Sequence, residues 1–447
     1  MQFERARRRL LDQLDAIDSP EAAMAFQRAL ASELRAAEKD ANTEVRWHGH
    51  LLRLMGDALA RQLLSRHTLR ELSRDWHPAP SLTGQGEDFD FVLEVAEQTV
   101  GPGFVPLISD LTHLITVGGL ISVGPSSIAI IECKNRKMPT GWGLRGRHAR
   151  QLQRQSEAAS YLTSGHVPDG NGKPRIALEV DEPRPREEEL QDCVGRASAS
   201  ATGSAAAQLG DRDFLIACWE RGLQPQHVLP RIDTDGWRFP AIAGSATAAE
   251  NPAPFIANAY SLPLPADARH AVAEGDLLLL RLVDLGLLTR EHEAGSASPS
   301  VEVYRKGGSC HLRAVLDGGP VELSQRFIDQ VIWNFWSAAD TSSMIMACLE
   351  AVQAAGRGTP GRRIAAAAPE VPTLAGFAYR GPDASAGPVF VSRLSDLARV
   401  GVSVPYEEFE AFDVGTEPVS VSAVIERQGQ HLRMRLDDAS PADDSSG

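Results

Sequence analysis

Cysteine is scarce and scattered. The 447 residues carry five, at 133, 193, 218, 310 and 348, with no Cys-x-x-Cys pair among them. Such a set argues against a disulfide framework or a cysteine zinc site, and reads as reduced thiols of a cytoplasmic protein. Long apolar runs are missing as well: none approaches eighteen residues, so no membrane-spanning helix is expected. The opening Met1-Gln-Phe-Glu-Arg-Ala-Arg-Arg-Arg lacks the apolar core of a secretory signal. There is no Walker A loop, dinucleotide fingerprint or His-Glu-x-x-His, so an ATPase or metalloprotease is not supported. Positive charge is in deficit, with 45 Lys and Arg against 59 Asp and Glu and a formal charge of −14. That balance argues against a chain that coats nucleic acid non-specifically, while leaving room for a local basic groove.

What is present is ordinary in bulk and uneven in detail. Hydrophobic content of 43% and charged content of 23% are those of a globular protein, and the length allows two or three domains. Against the acidic background, residues 134 to 154 hold seven Lys and Arg (134, 136, 137, 145, 147, 150 and 154) and no Asp or Glu. Phosphate contacts need a local field of this kind. Arg147, Arg150 and Arg154 stand at i, i+3 and i+7, one stripe of a helix expected from about 147 to 162.

Directly before that island lies Ile128-Ala-Ile-Ile-Glu132-Cys133-Lys134, an apolar strand ending in Glu-x-Lys. Alternate strand residues share a face, so Glu132 and Lys134 project side by side. A carboxylate there can hold a hard divalent cation, and the ammonium can orient a water or steady charge on a phosphate. Gly124-Pro125-Ser-Ser turns Leu120–Val123 back on the strand. The hairpin then puts Gly118 or Gly119 opposite Glu132, where no carboxylate is available.

Glu132-x-Lys134, an upstream Asp and a following helix with Gln and Tyr together resemble the PD-(D/E)xK nuclease superfamily over roughly residues 40–220. The resemblance implies an α/β protein with a restriction-endonuclease-like αβββαβ core, preceded by helices and followed by an α+β C-terminal domain. It implies Mg²⁺- or Mn²⁺-dependent hydrolysis of phosphodiesters in DNA. Glu132 and either Asp110 or Asp90 would hold the metal, Asp90 leading a strand over 87–95. Glu44, on the helix beginning near 43, is a candidate for an added acidic ligand on an inward face, or else a favourable first-turn charge. Lys134 would act on water or phosphate, Gln155 and Tyr161 would stand near the site, and Arg136, Lys137, Arg147, Arg150 and Arg154 would bind the DNA backbone. The settings the superfamily suggests are restriction, anti-phage defence and DNA repair. The glycines opposite Glu132 support an alternative, a catalytically inactive module that binds DNA or a protein.

The expected organisation is N-terminal helices over 1–40, a nuclease-like domain over 41–222, an α+β domain over 223–436 and an acidic tail over 437–447. Arg175–Val180 would be the last core strand. The C-terminal domain carries no recognisable chemistry. A homodimer or partner contact would be its plausible use.

Overall fold

The computed structural model describes the chain from residue 2 to residue 436 except for 40–42, 74–78, 136–146, 169–173, 177–185, 220–231, 245–257, 291–298, 357–372, 381–387, 392–422 and a few positions in turns. Arg136, Lys137 and the acidic tail therefore lie outside the described residues. The fold is mixed α/β and divides into two units. Unit 1 is Met1–Arg175 with Ala368–Gly447, and unit 2 is Ile176–Ala367. This differs from the division expected from the sequence. The N-terminal helices belong to the first unit, and the second is an insertion within it.

Unit 1 opens with α1 (Gln2–Asp15), α2 (Pro20–Ala37) and α3 (Thr43–Leu63). Leu10, Leu11 and Leu14 of α1 and Phe26, Leu30 and Leu34 of α2 are buried at helical spacing, which makes these helices part of the core. Ser19 caps α2 by accepting from the Ala22 amide at 3.2 Å, with Pro20 in the first turn. Two short helices follow, α4 (Arg66–Leu72) and α5 (Leu82–Gln85), and then α6 (Glu87–Thr99). Helix α6 corrects the strand expected over 87–95. Phe89 and Phe91 alternate as in a strand, but the full buried set Phe89, Phe91, Val92, Val95 and Ala96 includes the i, i+3 and i+4 spacings of a helix. Gly86, at φ +54°, begins it, and Glu87, Asp88 and Asp90 favour the positive end of its dipole.

Strands β1 (Val105–Ile108), β2 (Leu120–Val123) and β3 (Ile128–Lys134) form an antiparallel meander. The β2–β3 register, Leu120 with Ile131 through Val123 with Ile128, is the hairpin read from the sequence. Helix α7 (Arg147–Ser164) comes next, also as expected. Strands β4 (His166–Pro168) and β5 (Pro174–Ile176) pair with each other among the described residues, and residues 177–180 of the strand expected from Arg175 lie outside them.

Unit 2 contains α8 (Glu187–Ala199), β6 (Ser204–Gly210), β7 (Asp213–Trp219), β8 (Pro240–Gly244), α9 (Ala266–Glu274) and β9 (Leu277–Asp284). After these come β10 (Ser300–Lys306), β11 (Ser309–Leu316), β12 (Gly319–Glu322), α10 (Arg326–Trp333) and α11 (Ala338–Gly356). One sheet has the order β6-β7-β9-β8 and another β10-β11-β12. The apolar run from 277 is the buried strand β9. Its Arg281 pairs with Asp213 at 2.7 Å and donates to the Trp336 carbonyl at 2.9 Å. This buried ion pair ties the sheet to the α10–α11 connection. We see no chemistry in it.

The chain then returns to unit 1 with β13 (Thr373–Arg380), β14 (Pro388–Val391) and a hairpin of β15 (Ala423–Gln428) and β16 (His431–Leu436). Strand β13 lies parallel to β3, from Thr373 opposite Ile128 to Tyr379 opposite Lys134, giving the order β1-β2-β3-β13-β14. Parallel neighbours need a crossover. Here it consists of α7, which lies against β13, and the whole of unit 2.

Candidate active site

Four apolar residues carry β3 through the sheet, and the strand then ends in polar side chains. Glu132 is 8% exposed, and its carboxylate is bound on both oxygens. Lys134 Nζ forms an ion pair with Oε1 from the same strand face, as the i,i+2 spacing requires. Gln155 Nε2, from α7, donates to Oε2 at 3.0 Å. Gln155 is itself 1% exposed. A carboxylate this far from water is tolerated because a cation and an amide donor replace its hydration. The sequence placed these three residues on different grounds, and the fold brings them together.

Asp110 lies at the same end of the sheet but two strands away. Ile108 is opposite Leu120, and Leu120 opposite Ile131; the Ser109 amide donates to Gly119 at 3.2 Å, and the Gly119 amide to Ile131 at 3.0 Å. A 3-10 turn, Ser109–Leu111, then carries Asp110 just past that row. Two strand spacings are about 10 Å, the backbone separation across which the Asp110 and Glu132 positions flank the sheet end. Cys133 reports on both. Burial pushes its thiol well up, the Glu132 and Asp110 charges push it further, and Lys134 opposes them.

Between the two carboxylates stands Gly118 at φ +76°. A Cβ there would come within 3.0 Å of Ile130 Cγ2 and 3.3 Å of the Ile131 carbonyl oxygen. The backbone at this point takes a left-handed turn that suits glycine, and the close approach of Ile130 and the Ile131 carbonyl disfavours any residue with a Cβ.

The other expected site residues have different settings. Asp90 is on the first turn of α6, which begins beside the end of β3, where Asn135 Nδ2 donates to the Glu87 carbonyl at 3.0 Å; it leads no strand, and its carboxylate is 59% exposed and ion-paired with Arg35 at 2.6 Å. Glu44 is exposed at the start of α3 and does not face inward, because the buried stripe of α3 begins beside it at Val45. Tyr161 is buried, its hydroxyl accepting from Arg70 Nη2 at 3.2 Å, which is a core role. Arg147, Arg150 and Arg154 lie on α7, with Arg154 exposed.

Sequence reasoning missed a charged strip on α3. Asp57 is 1% exposed, and its Oδ1 accepts from the amides of His113 at 2.8 Å and Leu114 at 3.0 Å. Burial raises its carboxyl to about 7, against the Leu114 and His113 amides and the Arg61 and Arg53 charges. Burial brings Arg61 down to about 10 and His113 to about 3. The signal was available: Arg53, Asp57 and Arg61 recur every fourth residue among Leu52, Met55 and Leu59, charged positions on an apolar helix face.

Among the described residues no group of three or more His, Cys, Asp or Glu could hold a metal ion. Glu132 and Asp110 are carboxylates at the sheet end. No helix among the described residues is long and apolar enough to cross a membrane. The chain matches no family model, no curated protein and no solved structure.

Proposed function

We propose that unit 1 is a metal-dependent nuclease acting on DNA, built on a restriction-endonuclease-like core. The observation that carries this reading is the Glu132 carboxylate, buried at a strand end and held by Lys134 on one oxygen and Gln155 on the other. The sheet supports it: a β1-β2-β3 meander, then helix α7, then the parallel strand β13 is the succession an αβββαβ core requires. Unit 2 interrupts that core between its helix and its last strand.

The donor set fits a hard cation. Mg²⁺ is bound through one or two carboxylates, with water and substrate phosphate oxygens completing its shell, and Glu132 and Asp110 supply that number. Once bound, such an ion would lower the pKa of a water and offset charge on the phosphate. Glu132 and Asp110 would hold the ion through their carboxylate oxygens. Gln155 keeps the carboxylate oriented from its other side. The Lys134 ammonium would donate to the attacking water or to a phosphate oxygen as negative charge grows there. Arg147, Arg150 and Arg154 attract the backbone along one stripe of α7. The setting would be restriction, anti-phage defence or repair.

Gly118 favours a second reading, a nuclease fold kept for binding DNA or a protein with its metal site lost. Incubating the full chain with labelled single- and double-stranded DNA and RNA, in Mg²⁺, in Mn²⁺ and in chelator, separates the two. Metal-dependent cleavage that Glu132→Ala abolishes supports the enzyme. Binding without cleavage of any of these substrates supports the module.

A further inference from the structure

The segment that carries Asp110 is gripped along its length by one face of α3. Arg53 Nη1 donates to the Asp110 carbonyl oxygen, while Nη2 is anchored by Glu38 Oε1 at 3.0 Å and the Pro80 carbonyl at 2.9 Å. At Gly56 the helix backbone comes so close that a Cβ would collide with the Leu111 carbonyl oxygen. Asp57 then takes the His113 and Leu114 amides on one oxygen. Helix packing alone asks for no carboxylate here, since Leu54, Met55, Ala58 and Leu59 around it are apolar and buried. Burying a carboxylate among them is costly, and the cost is offset by the Arg61 and Arg53 charges and by hydrogen bonds from the backbone just past Asp110.

We propose that Arg53, Gly56 and Asp57 form a positioning device for Asp110. They fix the backbone at Asp110 and on its C-terminal side, so that the Asp110 carboxylate stays at the Glu132 end of the sheet. Asp57 and Arg53 are positioning residues and touch no substrate. The inference rests on the reading of Asp110 and Glu132 as joint holders of a divalent cation.

The charge of Asp57 is dispensable to this device, because both amides meet Oδ1 and an amide side chain offers the same oxygen. The test measures hydrogen exchange of the His113 and Leu114 amides alongside Mn²⁺ affinity, in wild type, Asp57→Asn and Asp57→Ala. Asp57→Ser serves as a milder variant if the alanine form does not fold. Expected are wild-type behaviour in Asp57→Asn and, in Asp57→Ala, about tenfold faster exchange with about tenfold weaker Mn²⁺, the equivalent of one such hydrogen bond. Faster exchange with unchanged Mn²⁺ affinity overturns the positioning role alone. Unchanged exchange overturns the grip itself. A wild-type chain that binds no Mn²⁺ removes the metal reading and this inference with it.

Discussion

Gln155 Nε2 and Glu132 Oε2 meet at 3.0 Å across the interface of α7 and β3. Both side chains are buried, so neither can replace the other with water. Gln155→Leu should therefore destabilise unit 1 by about 1–3 kcal/mol, the cost of leaving a buried polar group without its partner. Gln155→Glu should cost more, because it sets a second carboxylate against the first. Urea denaturation of the two variants checks both the size and the order.

Two buried groups should give opposite pH dependences over one window. Asp57, raised by burial from 3.8 to about 7, stabilises the fold fully below pH 3.8, and that contribution is lost as pH rises to 7. Its size is on the order of 4 kcal/mol. His48, lowered from 6.5 to about 4 by burial and the Arg7 charge, does the reverse: stability rises between pH 4 and 6.5. Asp57→Asn should thus gain on wild type as pH is raised from 4 to 7.5, and His48→Gln should lose. Denaturation curves that stay parallel at both pH values would contradict the two assignments.

Gly118→Ala tests the tight turn between the carboxylates. At φ +76°, with a Cβ 3.0 Å from Ile130 Cγ2, alanine should cost about 1–3 kcal/mol. Thermal melts of this variant should fall while those of Gly101→Ala, where a Cβ would meet nothing within 4 Å, stay near wild type.

The arginine stripe on α7 has a separate signature. If Arg147, Arg150 and Arg154 contact phosphates, each replacement by alanine should lower the salt slope of log K by about 0.7–0.9, almost equally for all sequences. A triple variant with an unchanged slope would mark a solvated helix face instead.

Much of the site was legible locally. Glu132 and Lys134 follow from strand alternation and the β2–β3 register from the Gly124-Pro125 turn, while Gln155 came from the family resemblance, which sets a Gln on the helix after Glu132. Long-range order was not. Nothing at residues 175–180 signals that the strand beside β3 waits until 373, because a parallel strand and its crossover leave no local trace of their separation. Asp90 was misplaced because Phe89 and Phe91 alternate like a strand over too short a span to show the helical period. Asp57 was overlooked because an acidic residue on an amphipathic helix reads as surface; its place among Leu52, Met55 and Leu59 was the sequence trace of a burial that its contact with the 113–114 amides explains.

Single-turnover cleavage of labelled DNA across a Mn²⁺ titration, in wild type, Glu132→Ala and Lys134→Ala, tests the proposed chemistry most directly. The proposal predicts metal-dependent cleavage by wild type. Glu132→Ala should lose both Mn²⁺ binding and cleavage, whereas Lys134→Ala should bind Mn²⁺ near normally and cleave at least about a hundredfold more slowly. Wild-type protein inert at every Mn²⁺ concentration, or Lys134→Ala turning over at the wild-type rate, would contradict it.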